Sequence, residues 1–381
     1  MHNQFEQGPI RPPSEAGSLL LRFTRNCPWN KCGFCRVYKN RTFSRRSLEE
    51  IKGDIDAVRG IIDNLKKLSE DKGHNGLLNR EVLQQALTSP EFTEQERYVA
   101  AWACRGQGTV FIQDANSLIM KQEELCEALR YLREQVPGVT RVTCYARSNT
   151  VSRKSVEELQ SVYEAGLDRV HIGMESGSDQ VLKRIRKGAT SSQHIEAGQK
   201  VRQSGLTLSE YVMPGLGGRD LSRDHALETA RVLNAIDPHY IRLRTLRVIP
   251  DTDLHELLTN NEFELLSDDE TAREIRLFIE HLEGIHSTLT SDHIMNLLEE
   301  VQGTFPQDKG YMLAVIDEYL RLPDHDRLLY RLGRRGGALR STREMQNPTV
   351  RSKLEQAKLE LEREQGQELE SIITEMGNQY I

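Results

Sequence analysis

The 381-residue chain sets 51 Lys and Arg against 57 Asp and Glu, a formal charge of −6, with 37% hydrophobic and 28% charged residues. That balance suits a globular protein of about two domains with its own core, and it argues against a general nucleic-acid coat. No apolar run approaches the roughly 20 residues that span a bilayer, which excludes a membrane-spanning helix.

The lead, residues 1–17, lacks the basic-then-apolar pattern of an export signal, so a cytoplasmic location is expected. SLLLRFT (Ser18 to Thr24) reads as a buried strand and runs directly into a cysteine-bearing loop. Residues 46–106 have apolar positions three and four apart, which predicts a helical insertion. A regular alternation follows. GTVFIQD, RVTCYAR, DRVHIGMES, LTLSEYVMPGLGG and HYIRLRTLRVIP read as strands starting near 109, 140, 169, 206 and 240. Each interval holds one helix, the spacing of repeated parallel βα units. Ser155 with Glu158, and Ser178, are candidate helix caps.

With the first strand that makes six, so the expected fold is α/β: a partial (β/α)6 TIM-like barrel over residues 18–255. No strand is expected from about 262 onward. ETAREIRLFIEHLEGI, SDHIMNLLEEV and GYMLAVIDEYLRL read as helices, followed by a long charged, solvated tail helix, so 262–381 forms a helical C-terminal region. Two basic stretches, Arg36 to Arg46 and Arg331 to Arg340, read as solvated faces. They keep RNA open as a partner without supporting it.

Three of the six cysteines crowd into RNCPWNKCGFCRVYK. Cys27, Cys32 and Cys35 have four and then two residues between them. Clustered cysteines in a chain of this kind point to metal rather than disulfides. A structural zinc site wants four ligands, and the next histidine downstream is His74, in the polar insertion. Three thiolates on a 4Fe–4S cluster leave one iron open for a ligand that is not protein, which suggests chemistry. Cys104, Cys126 and Cys144 lack the spacing of a second cluster, so one cluster is expected.

The loop, placed after the first strand of a βα series, resembles the signature of the radical S-adenosylmethionine superfamily. The family's usual spacing is three and then two residues; this chain has four and then two. HIGMESGSDQVLKRIRKGAT is similar to the fourth-strand segment of the branch containing coproporphyrinogen dehydrogenases, methylthiotransferases and the tRNA-acetylating elongator subunit. RPPSEAGSLLLRFTRNCPW and YVMPGLGG also look familial, so the resemblance covers about residues 10–255. It implies S-adenosylmethionine as second cofactor, with Phe34 beside its adenine, Glu175 at its ribose or methionine moiety and Lys187 at its carboxylate. Arg184 and Arg186 are rivals of Lys187. Asp114 stands where the family grips the ammonium group, although the family's glycines are missing there. Arg147 and Ser148 reach the ligand from the third strand, and Gly215 lets backbone approach the adenine.

The resemblance further implies reductive cleavage of S-adenosylmethionine to a 5′-deoxyadenosyl radical, hydrogen abstraction from an unidentified substrate, and a flavodoxin- or ferredoxin-type electron donor. Methyl or methylthio transfer, or modification of RNA or a porphyrin, are alternatives. So is a non-catalytic iron–sulfur or zinc-binding regulator. The sequence leaves the oligomeric state open.

Overall fold

The computed structural model describes residues 4–365 and 369–378, so a short part of the predicted tail helix lies outside the described residues. The chain divides into two compact units. One holds the residues up to Asn30, Val37–Gly173 and Glu196–Leu208; the other holds Lys31–Arg36, Met174–Ile195 and the chain from Ser209 on.

Eight strands form a mostly parallel sheet in an α/β fold, and their order in the sheet follows the chain. They are β1 (Leu19–Arg22), β2 (Thr109–Gln113), β3 (Arg141–Ala146), β4 (Arg169–Glu175), β5 (Thr207–Val212), β6 (Tyr240–Leu243), β7 (Thr288–Thr290) and β8 (Gly303–Thr304). In the first unit β1, β2, β3 and β4 run parallel, with Leu19 opposite Val110, Val110 opposite Val142 and Thr143 opposite Arg169. In the second, β5, β6 and β7 run parallel, with Ser209 opposite Tyr240 and Tyr240 opposite Thr288; β8 pairs antiparallel with β7. Leu19, Leu21, Val110, Ile112, Val142, Val170 and Ile172 are almost wholly buried, as parallel strands covered on both faces require.

Between β1 and β2 lie three helices, Leu48–Asp71, Arg80–Thr88 and Glu94–Arg105. Capping boxes start the first (Ser47 with Glu50) and third (Thr93 with Glu96), and Asn79 caps the second. Ser155 with Glu158, and Ser178, cap helices where the sequence placed them.

The region beyond residue 262 corrects the sequence reading in four places. β7 and β8 exist, but at three and two residues they are too short to show a period-two pattern. SDHIMNLLEEV is not helical. Its Asn296 side chain accepts from Thr245 N at 3.0 Å and donates to Leu243 O at 2.9 Å, so it closes the end of β6 instead. The basic stretch at Arg331 is not a solvated face either. In the helix Asp324–Arg335, Arg331 meets Asp269 at 2.8 Å and Arg335 meets Asp268 at 2.8 Å, while Arg334 pairs with Glu299. Arg335 also donates to Met295 O at 2.9 Å and Arg334 to Leu297 O at 3.2 Å, pinning the Ser291–Val301 loop. The tail packs too: Leu369, Ile372 and Ile373 are buried with Leu332.

A buried acid ties the lead to the sheet. Glu15, fully buried, accepts from Ser18 Oγ at 2.5 Å and from Arg141 at 2.9 Å, with His171 Nε2 at 3.6 Å. Burial alone would push its pKa up; His171, Ser18 and Arg141 outweigh burial and hold it at about 2. A folded pKa below the unfolded value of 4.5 contributes stability that is present above 4.5 and lost as pH falls towards 2. The gap corresponds to on the order of 3 kcal/mol. Glu15→Gln is therefore expected to lower the melting temperature at pH 7 and to flatten acid unfolding between pH 4.5 and 2. Equal losses at pH 7 and pH 2 would contradict this.

Candidate active site

β1 delivers the chain to the cysteine loop, and in the first unit the loop's base is organised by one carboxylate. Asp114, directly after β2, is fully buried and in the left-handed region at φ +69°. It accepts from Arg22 Nε at 2.6 Å, Asn26 N at 2.9 Å and Tyr38 Oη at 2.8 Å. Arg22 ends β1, Asn26 precedes Cys27, and Tyr38 lies three residues past Cys35. The loop's two roots are thus fastened to the end of β2. A cofactor ammonium group would have to share Asp114 with these donors. Within the loop, Asn30 N lies 3.4 Å from Cys27 Sγ, the kind of N–H that stabilises a thiolate.

The end of β3 is held in a similar way. Asn116 is fully buried; its Oδ1 accepts from Arg147 N at 3.3 Å and its Nδ2 donates to Thr150 Oγ1 at 2.8 Å. The Arg147 guanidinium lies 5.5 Å from the centre of the Trp29 ring, over the loop's own tryptophan. Ser148 is buried next to it in the chain. Cys144, on β3, is buried with its thiol pushed up to about 12 by burial, which makes it inert.

In the second unit the Cys32–Cys35 turn is clamped through the Gly33 peptide. Gly33 N donates to Ile185 O at 2.7 Å and Leu254 N donates to Gly33 O at 2.9 Å; Cys35 N reaches Cys32 O at 3.3 Å. Cys32 is buried and Cys35 partly exposed, and all six cysteines are free thiols. Among the described residues no three Cys, His, Asp or Glu side chains gather around a point where one metal ion would sit.

Phe34, Glu175 and Lys187 come together. Lys187 Nζ bonds Glu175 Oε1 at 2.9 Å and lies 5.9 Å from the centre of the Phe34 ring. Glu175 ends β4 at φ +66°, a conformation costing an ordinary side chain roughly 1–3 kcal/mol and concentrated at working sites. The rival cations are engaged elsewhere: Arg184 with Asp220 and Gly217 O, and Arg186 with Asp253. Gly215, at φ +86°, donates its N–H to Glu274 Oε1 at 2.7 Å, and Ser222 Oγ holds the other Glu274 oxygen at 2.6 Å. The left-handed turn after β5 requires the glycine.

The sequence reading missed Glu210, in the middle of β5. It is fully buried, neither carboxylate oxygen has a hydrogen-bond partner among the described residues, and burial raises its pKa well above 4.5. The charges of Lys187 and Glu175 act on it in opposite directions. A folded pKa above the unfolded one penalises the folded state increasingly as pH rises past 4.5. Glu210→Gln is therefore expected to raise the melting temperature at pH 7.5, by roughly 2–4 °C for each kcal/mol relieved, with the gain vanishing near pH 4.5. A lower melting temperature at pH 7.5 would show that the carboxyl is needed in charged form.

Residues 85–231 match the family model described as Radical SAM superfamily. The chain is 26% identical over 233 residues to 4'-phospho-dehydrooxetanocin synthase of Priestia megaterium, covering 58% of this chain and 27% of that protein. It is 26% identical over 276 residues to a tRNA uridine(34) acetyltransferase of Methanocaldococcus jannaschii, covering 69% of this chain and 48% of that protein. Among solved structures, coproporphyrinogen III oxidase from Escherichia coli aligns with a TM-score of 0.45 at 12% identity, over 70% of this chain and 52% of that one. The chain spans about a quarter to a half of the length of these two curated relatives. Among the described residues no helix is long and apolar enough to cross a membrane.

Proposed function

We propose that Cys27, Cys32 and Cys35 hold a single 4Fe–4S cluster, and that the protein uses it to cleave S-adenosylmethionine and activate a second substrate by hydrogen abstraction. The observation that supports this reading most is the placing of Glu175, Lys187 and Phe34 together at the end of β4, on the strand segment that follows the family pattern. Cys27, Cys32 and Cys35 would hold the cluster, which would supply one-electron reducing chemistry for S-adenosylmethionine cleavage.

The chain's own residues bind and orient. Lys187 offers a cation to the methionine carboxylate, and Glu175 offers an acceptor to ribose hydroxyls. The two side chains also satisfy each other, so neither charge is left uncompensated. Phe34 presents an aromatic face, and Gly215 leaves room for close backbone approach. Asp114 and Asn116 act as positioning residues, fixing the roots of the loop and the end of β3. Arg147, held over Trp29, and Ser148 line the same strand end. We further propose a core over 18–255 with a helical insertion at about 46–106, and a helical region from 262. A one-electron donor of the flavodoxin or ferredoxin kind completes the scheme.

Metal analysis tests the cluster assignment. After anaerobic reconstitution, about four irons and four sulfides per chain are expected. Zinc without inorganic sulfide would overturn it.

A further inference from the structure

The segment Arg244–Leu246 leaves β6 alongside the exit of β5: Arg244 N donates to Val212 O at 2.9 Å and Leu246 N to Pro214 O at 2.8 Å. It therefore lies at the C-terminal ends of the strands, where folds of this type place their chemistry. Three arginines occupy HYIRLRTLRVIP with no acidic residue among them. Arg242 is provided for: it meets Asp292 at 3.1 Å and Ser209 Oγ at 3.1 Å. The other two are not. Among the described residues neither Arg244 nor Arg247 makes an ion pair, and the Nε of Arg247 is buried without an acceptor. Arg244 stacks on the Tyr211 ring at 5.2 Å, which fixes the direction of its guanidinium fork.

A third donor comes from the loop after β7. His293 Nδ1 accepts from Met295 N at 3.4 Å, so the neutral ring carries its proton on Nε2. Burial, then the charge of Arg244, pushes its pKa down to about 4, so it is neutral at pH 7. The loop is held in place by Arg334, Arg335 and Asn296, so these donors need little ordering before a ligand arrives.

We propose that Arg244, with Arg247 and His293, is the seat for an acidic group, carboxylate or phosphate, on the second substrate. The inference rests on the reading that such a substrate exists. Half-buried guanidinium groups without a carboxylate partner are matched by a doubly accepting anion, and a planar fork on an aromatic face is the arrangement that binds one in bidentate fashion. Arg242, in β6, shows the contrast, since its charge is already met by Asp292.

The test is calorimetric titration of the full chain at low salt with inorganic phosphate in one arm and succinate in the other. Saturable binding is expected in at least one arm, and the arm that binds identifies the anion. Arg244→Met should weaken it about tenfold or more, while unfolding temperature and substrate-independent 5′-deoxyadenosine formation stay unchanged. Arg247→Gln should weaken it as well, which keeps the test decisive should Arg244→Met fold poorly. Failure of both anions to bind, or binding that both variants leave intact, overturns the proposal. If the wild-type chain makes no 5′-deoxyadenosine, the catalytic reading fails, and the anion titration still reports on the seat separately.

Discussion

Cys32→Ala is expected to abolish the broad visible absorbance of the reconstituted protein, and with it all cleavage of S-adenosylmethionine, while the chain stays folded. The local structure explains both halves of this result. The turn that carries Cys32 is held by its backbone, through Gly33 N to Ile185 O and Leu254 N to Gly33 O, and alanine leaves those bonds in place. Alanine has the methyl volume of the Cys Cβ and adds nothing that would clash. Only the sulfur is lost, and two thiolates cannot replace three around a cluster that already uses an open iron for its ligand. Iron content, visible spectrum and circular dichroism on one preparation check the prediction. A coloured, active Cys32→Ala protein would refute the ligand assignment.

Lys187→Ala is expected to weaken S-adenosylmethionine binding about ten- to a hundred-fold with iron content unchanged. A charge-assisted bond to a carboxylate contributes about 1.5–3 kcal/mol, and each 1.4 kcal/mol is tenfold in affinity. The variant also leaves Glu175 without its cation in a largely buried position, so a loss of stability accompanies it. Lys187→Arg separates the two effects: it keeps the charge beside Glu175 and should recover stability more fully than affinity, because the compact ammonium and the broad guanidinium differ in shape. Titration calorimetry with a thermal melt measures both. Unaltered affinity in Lys187→Ala would remove this residue from the cofactor site. Arg184 and Arg186, already committed to Asp220 and Asp253, are weaker replacements.

The parallel core was legible because its signals repeat. Four strand–helix intervals of similar length, caps at Ser155 and Ser178, and Val-, Ile- and Leu-rich strands all pointed the same way. The second half was less so. Thr288–Thr290 is too short to announce itself, and IMNLLEEV has helical spacing that tertiary bonds override, because Arg334, Arg335 and Asn296 take up its backbone and the strand end beside it. The arginines of 331–335 looked like a solvated face because their partners, Asp268, Asp269 and Glu299, lie more than thirty residues away in the chain.

At the site, the cysteines and the Glu175–Lys187 segment stood out by motif. The role of Asp114 as a hub for Arg22, Asn26 and Tyr38 did not, because those donors converge only in the fold. Glu210 was hidden for a different reason. In LTLSEYVM an acid reads as the polar half of an alternating strand, and nothing local shows that both faces are covered. One signal was available in principle: Arg242, Arg244 and Arg247 crowd a strand end without an acid nearby in sequence.

The most direct measurement is the yield of 5′-deoxyadenosine when the anaerobically reconstituted protein is mixed with dithionite and S-adenosylmethionine. Slow formation of 5′-deoxyadenosine with matching methionine is expected, lost in Cys27→Ala, Cys32→Ala and Cys35→Ala alike. A fully loaded iron–sulfur protein that yields neither product would contradict it.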